Sequence, residues 1–422
     1  MFTREAKRWV ATATVLTLIV GGGLPFKKVE AGAGPKVIDI LQIPDFHGKL
    51  IDDENHPIAA VMGKNIEELK NNNPAGTLVL GGGDNYAGRY VPEISELTRG
   101  AAVMRVFNAF GMEASTVGNH EFDWGLETIY KNVPAQYPLL AANIYSRATG
   151  KRVFEPYKIF KKDGVKIAIV GAATEDYTQY EVPGTIDAYE LKDIASEVNA
   201  AAADARAKGA EIVVANIHEE HDTDTNGRIF DAVAGLKGVD AVLGAHAHRD
   251  LNTTAKDANG NNIPLLIGRD RGQNIVHMQI TVAADKSLSF ANEQIPIKTE
   301  SGVFPYGWLA AQPVISTNVQ AIIDDELADI AAAKADKIAI DLGPVSEVTK
   351  NIKLPSKGAN GSKIQWISSN PNVIENNGHV RRPAKGSEDV TLTLTAMVTK
   401  GDATVTQSFS VTVKPKGVKV DQ

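Results

Sequence analysis

Two patterns of apolar spacing divide the chain. From Val37 to about Ile297, short apolar runs alternate with amphipathic stretches. Val37–Ile43 is an apolar run of strand length. Ile58, Val61, Met62, Ile66 and Leu69 follow the 3.6-residue period and predict a helix over Pro57–Asn71. Thr77–Leu80 reads as a short strand closed by Gly81-Gly82-Gly83. Leu97, Ala101, Met104, Phe107 and Phe110 predict one helix over 97–110, and Lys166–Val170, Glu211–Asn216 and Val239–Leu243 are further strands. Alternation of this kind predicts an α/β core around a largely buried sheet.

Beyond Val314 the period changes. Val319, Ile322, Ile323, Leu327 and Ile330 make one amphipathic helix, and after Asp336 the alternation is two-residue. Val390–Thr399, the turn Lys400-Gly401-Asp402 and Ala403–Val413 predict a hairpin. Ile364-Gln365-Trp366-Ile367 is another strand, followed by turns at Ser369-Asn370-Pro371-Asn372 and Asn376-Asn377-Gly378. Short strands separated by turns predict a small all-β sandwich. Because this part carries its own apolar alternation, a cut near Glu326 is expected to leave the first part folded.

The N-terminus reads as a secretory signal. Arg4, Lys7 and Arg8 precede an apolar and threonine-containing run, Trp9–Val20; Gly21-Gly22-Gly23 and Pro25 end it, and Val29-Glu30-Ala31 offers a small-residue cleavage site. The competing reading is a retained anchor, but the run is shorter than the roughly 20 residues a bilayer requires. The expected boundaries are a signal over 1–31, an α/β domain over 32–313, a linker helix over 314–336, a β domain over 337–415 and a tail over 416–422. No stable membrane span is expected in the mature protein, which is then secreted or held at the cell surface.

Composition narrows the chemistry. The formal net charge of -7 argues against a nucleic-acid polymer as partner, which needs a basic footprint. Aromatic residues are only 6%, which argues against broad stacking platforms. With no cysteine, disulfides, thiol nucleophiles, zinc–thiolate sites and iron–sulfur clusters are excluded, so any metal is held by His, Asp, Glu or Asn.

Five segments carry such groups: Asp45-Phe46-His47-Gly48, Gly83-Asp84, Gly118-Asn119-His120-Glu121-Phe122-Asp123, Asn216-Ile217-His218 and Gly244-Ala245-His246-Ala247-His248. Each follows a predicted strand, and side chains just beyond the carboxyl ends of strands in an open α/β sheet converge on one crevice. Residues two apart on extended chain point the same way, which pairs Asp45 with His47 and His246 with His248. Singly, each has a structural reading: Asp45 as a strand-end cap, Asp84 and Asn119 as turn residues, His218 as a hydrogen-bonded core histidine. Together, five strand ends bearing ligand types point to a metal centre. His56, His221, His277 and His379 read as structural, His221 being nearest to a ligand.

Asp-x-His, Gly-Asp, Gly-Asn-His-Glu, a lone His and Gly-x-His-x-His, in this order, resemble the calcineurin-like metallophosphoesterases. The run Gly118–Gly125, Asn143 in Ala-Ala-Asn-Ile and Gly164-Val165-Lys166-Ile167 resemble the 5'-nucleotidase / 2',3'-cyclic-nucleotide phosphodiesterase branch over about 36–300. The resemblance implies an αββα sandwich with two divalent metal ions (Mn, Zn or similar) at its edge. It implies Asp45, His47, Asp84 and His248 around one ion, and Asp84, Asn119, His218 and His246 around the other. Two such ions share a hydroxide and clamp the phosphoryl oxygens of an in-line displacement. His120 would then stabilise the phosphoryl group and help the leaving oxygen depart, with Asp123 reaching its ring if the segment turns helically. Asn119, Arg249, Arg269 and Arg271 are candidate substrate contacts, the arginines because they fall near the His246–His248 end of the sheet; surface positions are their alternative reading.

Ile364-Gln365-Trp366, Ser368-Ser369-Asn370-Pro371, Val373-Ile374, Gly378 and Arg382-Pro383 resemble the bacterial immunoglobulin-like domain appended to many secreted hydrolases. That resemblance implies an accessory or spacer, and leaves cell-wall or carbohydrate contact open. Nucleotidases of this branch normally carry a larger C-terminal domain that stacks the base, with an Asn-Gly-Gly-Gly-Ile-Arg-like signature; neither is found here. Two hypotheses are weighed. One is a secreted phosphoesterase acting on a small phosphate ester, nucleotides included, with monoester hydrolysis set against diester hydrolysis. The other is a non-catalytic surface binding protein. The full ligand set favours the enzyme.

Overall fold

The computed structural model describes residues 34–52, 56–128, 136–297 and 315–418. The expected signal segment and the boundary between 313 and 314 lie outside these residues. The elements, in chain order, are β1 (Lys36–Ile43), α1 (Ile58–Asn72), β2 (Thr77–Gly81), α2 (Glu93–Thr98), α3 (Ala101–Phe110), β3 (Ala114–Thr116), β4 (Leu139–Leu140), β5 (Ile144–Ser146), β6 (Tyr157–Lys162), β7 (Val165–Ala173), β8 (Tyr189–Leu191), α4 (Ile194–Ala207), β9 (Ile212–His218), α5 (Arg228–Gly235), β10 (Ala241–Ala245), β11 (Leu251–Lys256), β12 (Asn262–Ile267), β13 (Asn274–Val282), β14 (Leu288–Pro296), α6 (Thr317–Ile338), β15 (Lys363–Ser368), β16 (Val390–Lys400) and β17 (Ala403–Val413).

Two six-stranded mixed sheets, β14-β13-β1-β2-β3-β4 and β11-β12-β10-β9-β7-β6, face each other. Strand side chains alternate between faces. Ile38 and Ile40, Leu78 and Leu80, and Met278 and Ile280 meet Ile167, Ile169, Val214 and Leu243 in the layer between the sheets. Leu41, Ile43 and Val79 point the other way, onto Met62, Ile66, Phe107 and Phe110 of α1 and α3. Val213, Ala215 and Ile217 point onto Val198, Ala202, Ile229 and Val233 of α4 and α5. The result is the αββα order, with β1 and β2 parallel and Ile43 opposite Gly81 at their carboxyl ends.

The helix expected over 97–110 is two helices. Arg99 (φ 49°) and Gly100 (φ 81°) are both left-handed and break it. A Cβ on Gly100 would lie 3.0 Å from Cβ of Tyr86, so the turn packs closely against the fully buried tyrosine.

The C-terminal part forms the antiparallel sheet β15-β16-β17. Trp366, Leu394, Val398 and Val411 are buried against Ile340, Val348 and Ile374 from irregular chain, which touches the sheet through isolated bridges such as Val348 with Val413. The expected linker helix is part of two cores. Val319, Ile323 and Ile330 of α6 pack with α1 and α3, while Ala333 packs under the β sheet. Its Glu326 is fully buried and pairs with Arg105 of α3, and Arg105 also reaches Asp402 in the β16–β17 turn at 2.7 Å. A cut near Glu326 would divide this shared helix, leaving Val319 and Ile323 with the first part and removing Ile330 from it. No helix among the described residues is long and apolar enough to cross a membrane.

Candidate metal centre

Every segment singled out by its ligand types lies at the carboxyl end of a strand, but the strands belong to two sheets. Asp45 and His47 follow β1, Asp84 follows β2 and Asn119 follows β3 in one sheet; His218 ends β9 and His246 and His248 follow β10 in the other. Beneath them the sheets are tied: Gln42 Nε2 donates to Asn216 Oδ1 at 2.8 Å, and Asn216 Nδ2 donates to the Gly81 carbonyl at 2.9 Å.

The backbone here is held in uncommon conformations. Asp45 (φ 41°), His47 (φ 48°), Asp84 (φ 51°), His246 (φ 88°) and His248 (φ 57°) are all left-handed. Such residues cost on the order of 1 kcal/mol each or more, and persist where the surroundings over-determine them. Two glycines let the chain pass: a Cβ on Gly118 would lie 2.2 Å from Asp84 Oδ1, and one on Gly88 would lie 2.3 Å from His47 Nδ1.

The donor atoms form two clusters. Asp45, His47 and His248 make one, and Asp84, His218 and His246 the other, each with its ligand atoms within 4.8 Å of one another. In the first, His47 Nε2 and His248 Nε2 are 3.1 Å apart, while His47 Nδ1 is engaged by the Ala87 carbonyl at 2.8 Å. In the second, His218 Nε2 lies 3.2 Å from Asp84 Oδ2, 3.2 Å from Asn119 Oδ1 and 3.2 Å from His246 Nδ1. His218 Nδ1 donates to the Gly82 carbonyl at 2.8 Å, and Asn119 Nδ2 to the Gln179 carbonyl at 2.8 Å. Using one ring nitrogen or the amide nitrogen on a backbone carbonyl fixes the side chain and aims the other donor atom at the cluster, as is usual for a metal ligand. Asp84 sits with the second cluster, its Oδ1 accepting the backbone N–H of His120 at 2.8 Å.

The electrostatics fit cations. Burial pushes His47 down to about 4 and His246 down to about 3, the charges of neighbouring histidines adding to it, so both are neutral imidazoles with a lone pair to give. Asp45 and Asp84 are buried carboxylates. Burial pushes Asp45 up to about 6 against the pull of His218 and His248. Burial also opposes the charge of Asp84, but His218, by charge and hydrogen bond, holds it well below the usual carboxylate range. Burial opposes the charge of His218, but Asp84, by charge and hydrogen bond, and Asp45 draw it up to about 10; the two buried carboxylates thus gather positive charge, which a divalent cation would supply in place of that proton.

His120 Nδ1 and Asp123 Oδ2 are 2.8 Å apart across the one-turn 3₁₀ helix His120–Phe122, the contact expected from their spacing. Burial lowers the ring's proton affinity, but the bond from Asp123 and the charge of Asp84 carry it to about 9. His120 is therefore cationic at neutral pH, with Nε2–H left to donate.

A cavity of about 400 Å³ opens over the clusters, lined by Asn119, His120 and His246 together with Glu181, Glu220 and Arg249. Arg249 Nη2 donates to the carbonyls of His221 and Asp222 at 2.7 and 2.9 Å. The other two candidate arginines do not line it. Arg269 is paired with Asp250, and Arg271 with Asp270 at 2.6 Å. His221 does line the cavity. His56, His277 and His379 bond elsewhere or lie away from it.

Sequence reasoning gave no role to Glu121. It is fully buried, and its carboxylate accepts the backbone N–H groups of Asp84 (2.8 Å), Asn85 (2.7 Å) and Gly118 (2.6 Å). It staples the two ligand-bearing loops together. The signal was present, an acidic residue inside an otherwise ligand-rich segment, but an acid directed at backbone cannot be told from a ligand by spacing.

Comparison with known proteins agrees with this architecture. Residues 331–416 match the model of the atrophied bacterial Ig domain. A 5'-nucleotidase of Vibrio cholerae is 34% identical over 219 residues, covering 50% of this chain and 39% of that protein. The chain spans between 28% and 39% of the length of the three Vibrio 5'-nucleotidases it matches. Among solved structures, the calcineurin-like phosphoesterase YfkN from Bacillus subtilis superposes with a TM-score of 0.55 at 21% identity, covering 69% of this chain and 97% of that one. The 5'-nucleotidase precursor from Thermus thermophilus gives 0.58 at 17% identity, covering 90% and 89%. The chain thus combines the calcineurin-like phosphoesterase fold with an atrophied bacterial Ig domain.

Proposed function

We propose that this chain is a secreted hydrolase of phosphate esters, a 5'-nucleotidase-like phosphomonoesterase working at a two-cation centre. The observation that supports it most is the pair of donor clusters side by side, with His120, its Nδ1 2.8 Å from Asp123 Oδ2, at the wall of the same cavity. In this reading Asp45, His47, Asp84 and His248 would hold one cation, and Asp84, Asn119, His218 and His246 the other. Bound there, divalent cations would supply Lewis-acid activation of water and stabilisation of charge on phosphoryl oxygens.

The chain's own residues do the rest. Ala87 and Gly82 carbonyls fix the tautomers of His47 and His218. Glu121 fixes the loops that carry Asp84 and Gly118. Asp123 holds the His120 ring so that Nε2–H can be given to the leaving oxygen, a contribution of typically 10²–10⁴-fold for a positioned general acid. Arg249 places a positive charge at the cavity wall for a non-reacting phosphoryl oxygen. Arg269 and Arg271, engaged by aspartates, are left out of the proposed substrate contacts. The Ig-like part is assigned an accessory role, with cell-wall or carbohydrate contact as its candidate.

The test is a substrate panel. Purified protein supplied with Mn or Zn is assayed against p-nitrophenyl phosphate, AMP, 2',3'-cyclic AMP and bis-p-nitrophenyl phosphate. Monoester hydrolysis ahead of diester hydrolysis is expected. Turnover of diesters alone would assign the alternative phosphodiesterase, and turnover of none would return the chain to the class of binding proteins.

A further inference from the structure

Three of the candidate ligands are fixed by main chain: the Ala87 carbonyl holds His47, that of Gly82 holds His218 and that of Gln179 holds Asn119, each at 2.8 Å. His246 and His248 are held differently. His246 Nδ1 faces His218 Nε2 in the second cluster, and its other nitrogen, Nε2, is buried without a hydrogen-bond partner among the described residues. His248 Nε2 faces His47 Nε2 in the first cluster, which leaves Nδ1 on the outside. An imidazole that binds metal needs its outer N–H held, because that bond sets both tautomer and ring orientation.

The topology puts a carboxylate beside each outer nitrogen. β10 carries both histidines beyond its carboxyl end and lies between β9 and β12, parallel to both. Glu220 follows β9 and Asp270 follows β12, so the two acids flank the two histidines. Glu220 Oε1 is 3.5 Å from His246 Nε2, and Asp270 Oδ2 is 3.6 Å from His248 Nδ1. Both separations are about 0.5 Å longer than an ordinary N–H···O bond. In each pair one side chain has room to turn and close the gap: those of Glu220 and His248 are 41% and 39% exposed, whereas those of His246 and Asp270 are 8% exposed. Asp270 is itself braced, its Oδ2 accepting from Arg271 Nη1 at 2.6 Å and its Oδ1 from Gln273 Nε2 at 2.8 Å. Arg271, which does not line the cavity, thereby gains a place behind a ligand.

We propose that Glu220 and Asp270 are positioning residues, one for each cation: Glu220 accepts His246 Nε2–H and turns Nδ1 inward, and Asp270 accepts His248 Nδ1–H and turns Nε2 inward. This rests on the reading of the site as a two-cation centre. The two histidines of the Gly-x-His-x-His segment then use opposite ring nitrogens and carry opposite tautomers.

The test reads the tautomers directly. In isotope-labelled protein freed of metal by a chelator, at mildly alkaline pH where an ordinary imidazole is neutral, proton–nitrogen correlation spectra show which ring nitrogen bears hydrogen. His246→Asn and His248→Asn assign the signals. The native chain is expected to carry the proton on Nε2 of His246 and on Nδ1 of His248. Glu220→Ala should mix the tautomers of His246 alone, and Asp270→Ala those of His248 alone. Glu220→Gln and Asp270→Asn keep an acceptor oxygen and should behave as native. Equilibrium dialysis with Mn follows the same variants, and each alanine variant should weaken binding of one cation about 10- to 100-fold. A proton on the other nitrogen of either native ring, a His246 tautomer unchanged in Glu220→Ala, or Mn affinity unmoved in both alanine variants would overturn the proposal. If Asp270→Ala does not fold, the native His248 tautomer and the Glu220 variants still decide. If the native chain binds neither Mn nor Zn, the two-cation reading fails, and the tautomers still decide whether the two carboxylates hold the rings.

Discussion

The Oε2 atom of Glu121 accepts the backbone N–H of Asp84 at 2.8 Å, and the same atom accepts that of Gly118 at 2.6 Å. Glu121 thus shapes the centre without belonging to either donor cluster. Glu121→Gln turns an acceptor into a donor facing N–H groups. It is expected to weaken cation affinity about 10- to 100-fold, as loss of an outer-shell partner does. Stability should fall by about 1–3 kcal/mol for a buried N–H left unpaired. Calorimetric titration with Mn and thermal melting read both. Native affinity in Glu121→Gln would show that the loops hold without the staple.

His120 and Asp84 are expected to fail in different ways. His120→Ala should lower kcat by about 10²–10⁴-fold and keep its cations, since its ring belongs to neither cluster. Asp84→Ala should lose cations, because its Oδ2 faces His218 within the second cluster. Elemental analysis of the two purified variants separates them; equal metal loss would remove the distinction drawn between donor and ligand.

Much of this centre was legible in the sequence because ligand types recur just after apolar runs, and strand ends are where an α/β fold gathers side chains. The His120–Asp123 contact was expected from i,i+3 spacing on condition that the segment turned helically, and the turn at His120–Phe122 meets that condition. What spacing could not give was the division of the segments between two sheets, which depends on long-range pairing such as that of Gln42 with Asn216. The αββα order came instead from resemblance. Nor could spacing separate Arg249, which reaches the cavity wall, from Arg269 and Arg271, which are engaged by Asp250 and Asp270. The break at Arg99-Gly100, where both residues are left-handed, was hidden because the apolar period continues across it.

Glu326 and Arg105 are expected to be coupled. Removing one partner of a buried pair leaves an uncompensated charge, which costs about 3–5 kcal/mol, and Arg105 is partly exposed, so the lower end applies. Arg105→Met should destabilise by about 3 kcal/mol. Arg105→Met combined with Glu326→Leu should regain most of that. Additive losses in urea melts would mean that α6 does not depend on this pair. By the same packing, a chain ended near Glu326 is expected to melt early or aggregate.

The β domain holds α6 through Asp336. Its Oδ1 accepts the backbone and side-chain N–H of Asn360 at 2.8 Å each, and its Oδ2 the backbone N–H of Ser362 at 3.0 Å. Burial favours the protonated acid, but these bonds hold the pKa at about 2, below its ordinary value of 3.8. A carboxyl depressed by folding contributes stability that is complete above the unfolded pKa and is lost as pH falls through the folded one. The gap in melting temperature between the native chain and Asp336→Asn should therefore be full at pH 6 and close between about pH 4 and pH 2. A gap independent of pH would mean the carboxylate charge is not what holds the turn.

Cation dependence is the most direct test of the reading as a whole. Purified protein is stripped with a chelator, dialysed, and titrated with Mn or Zn while bound metal and p-nitrophenyl phosphate hydrolysis are followed together. Activity should vanish on stripping and return as bound metal approaches about two ions per chain, the number that the proposed centre would hold. Full hydrolysis by protein shown to be free of metal would contradict it.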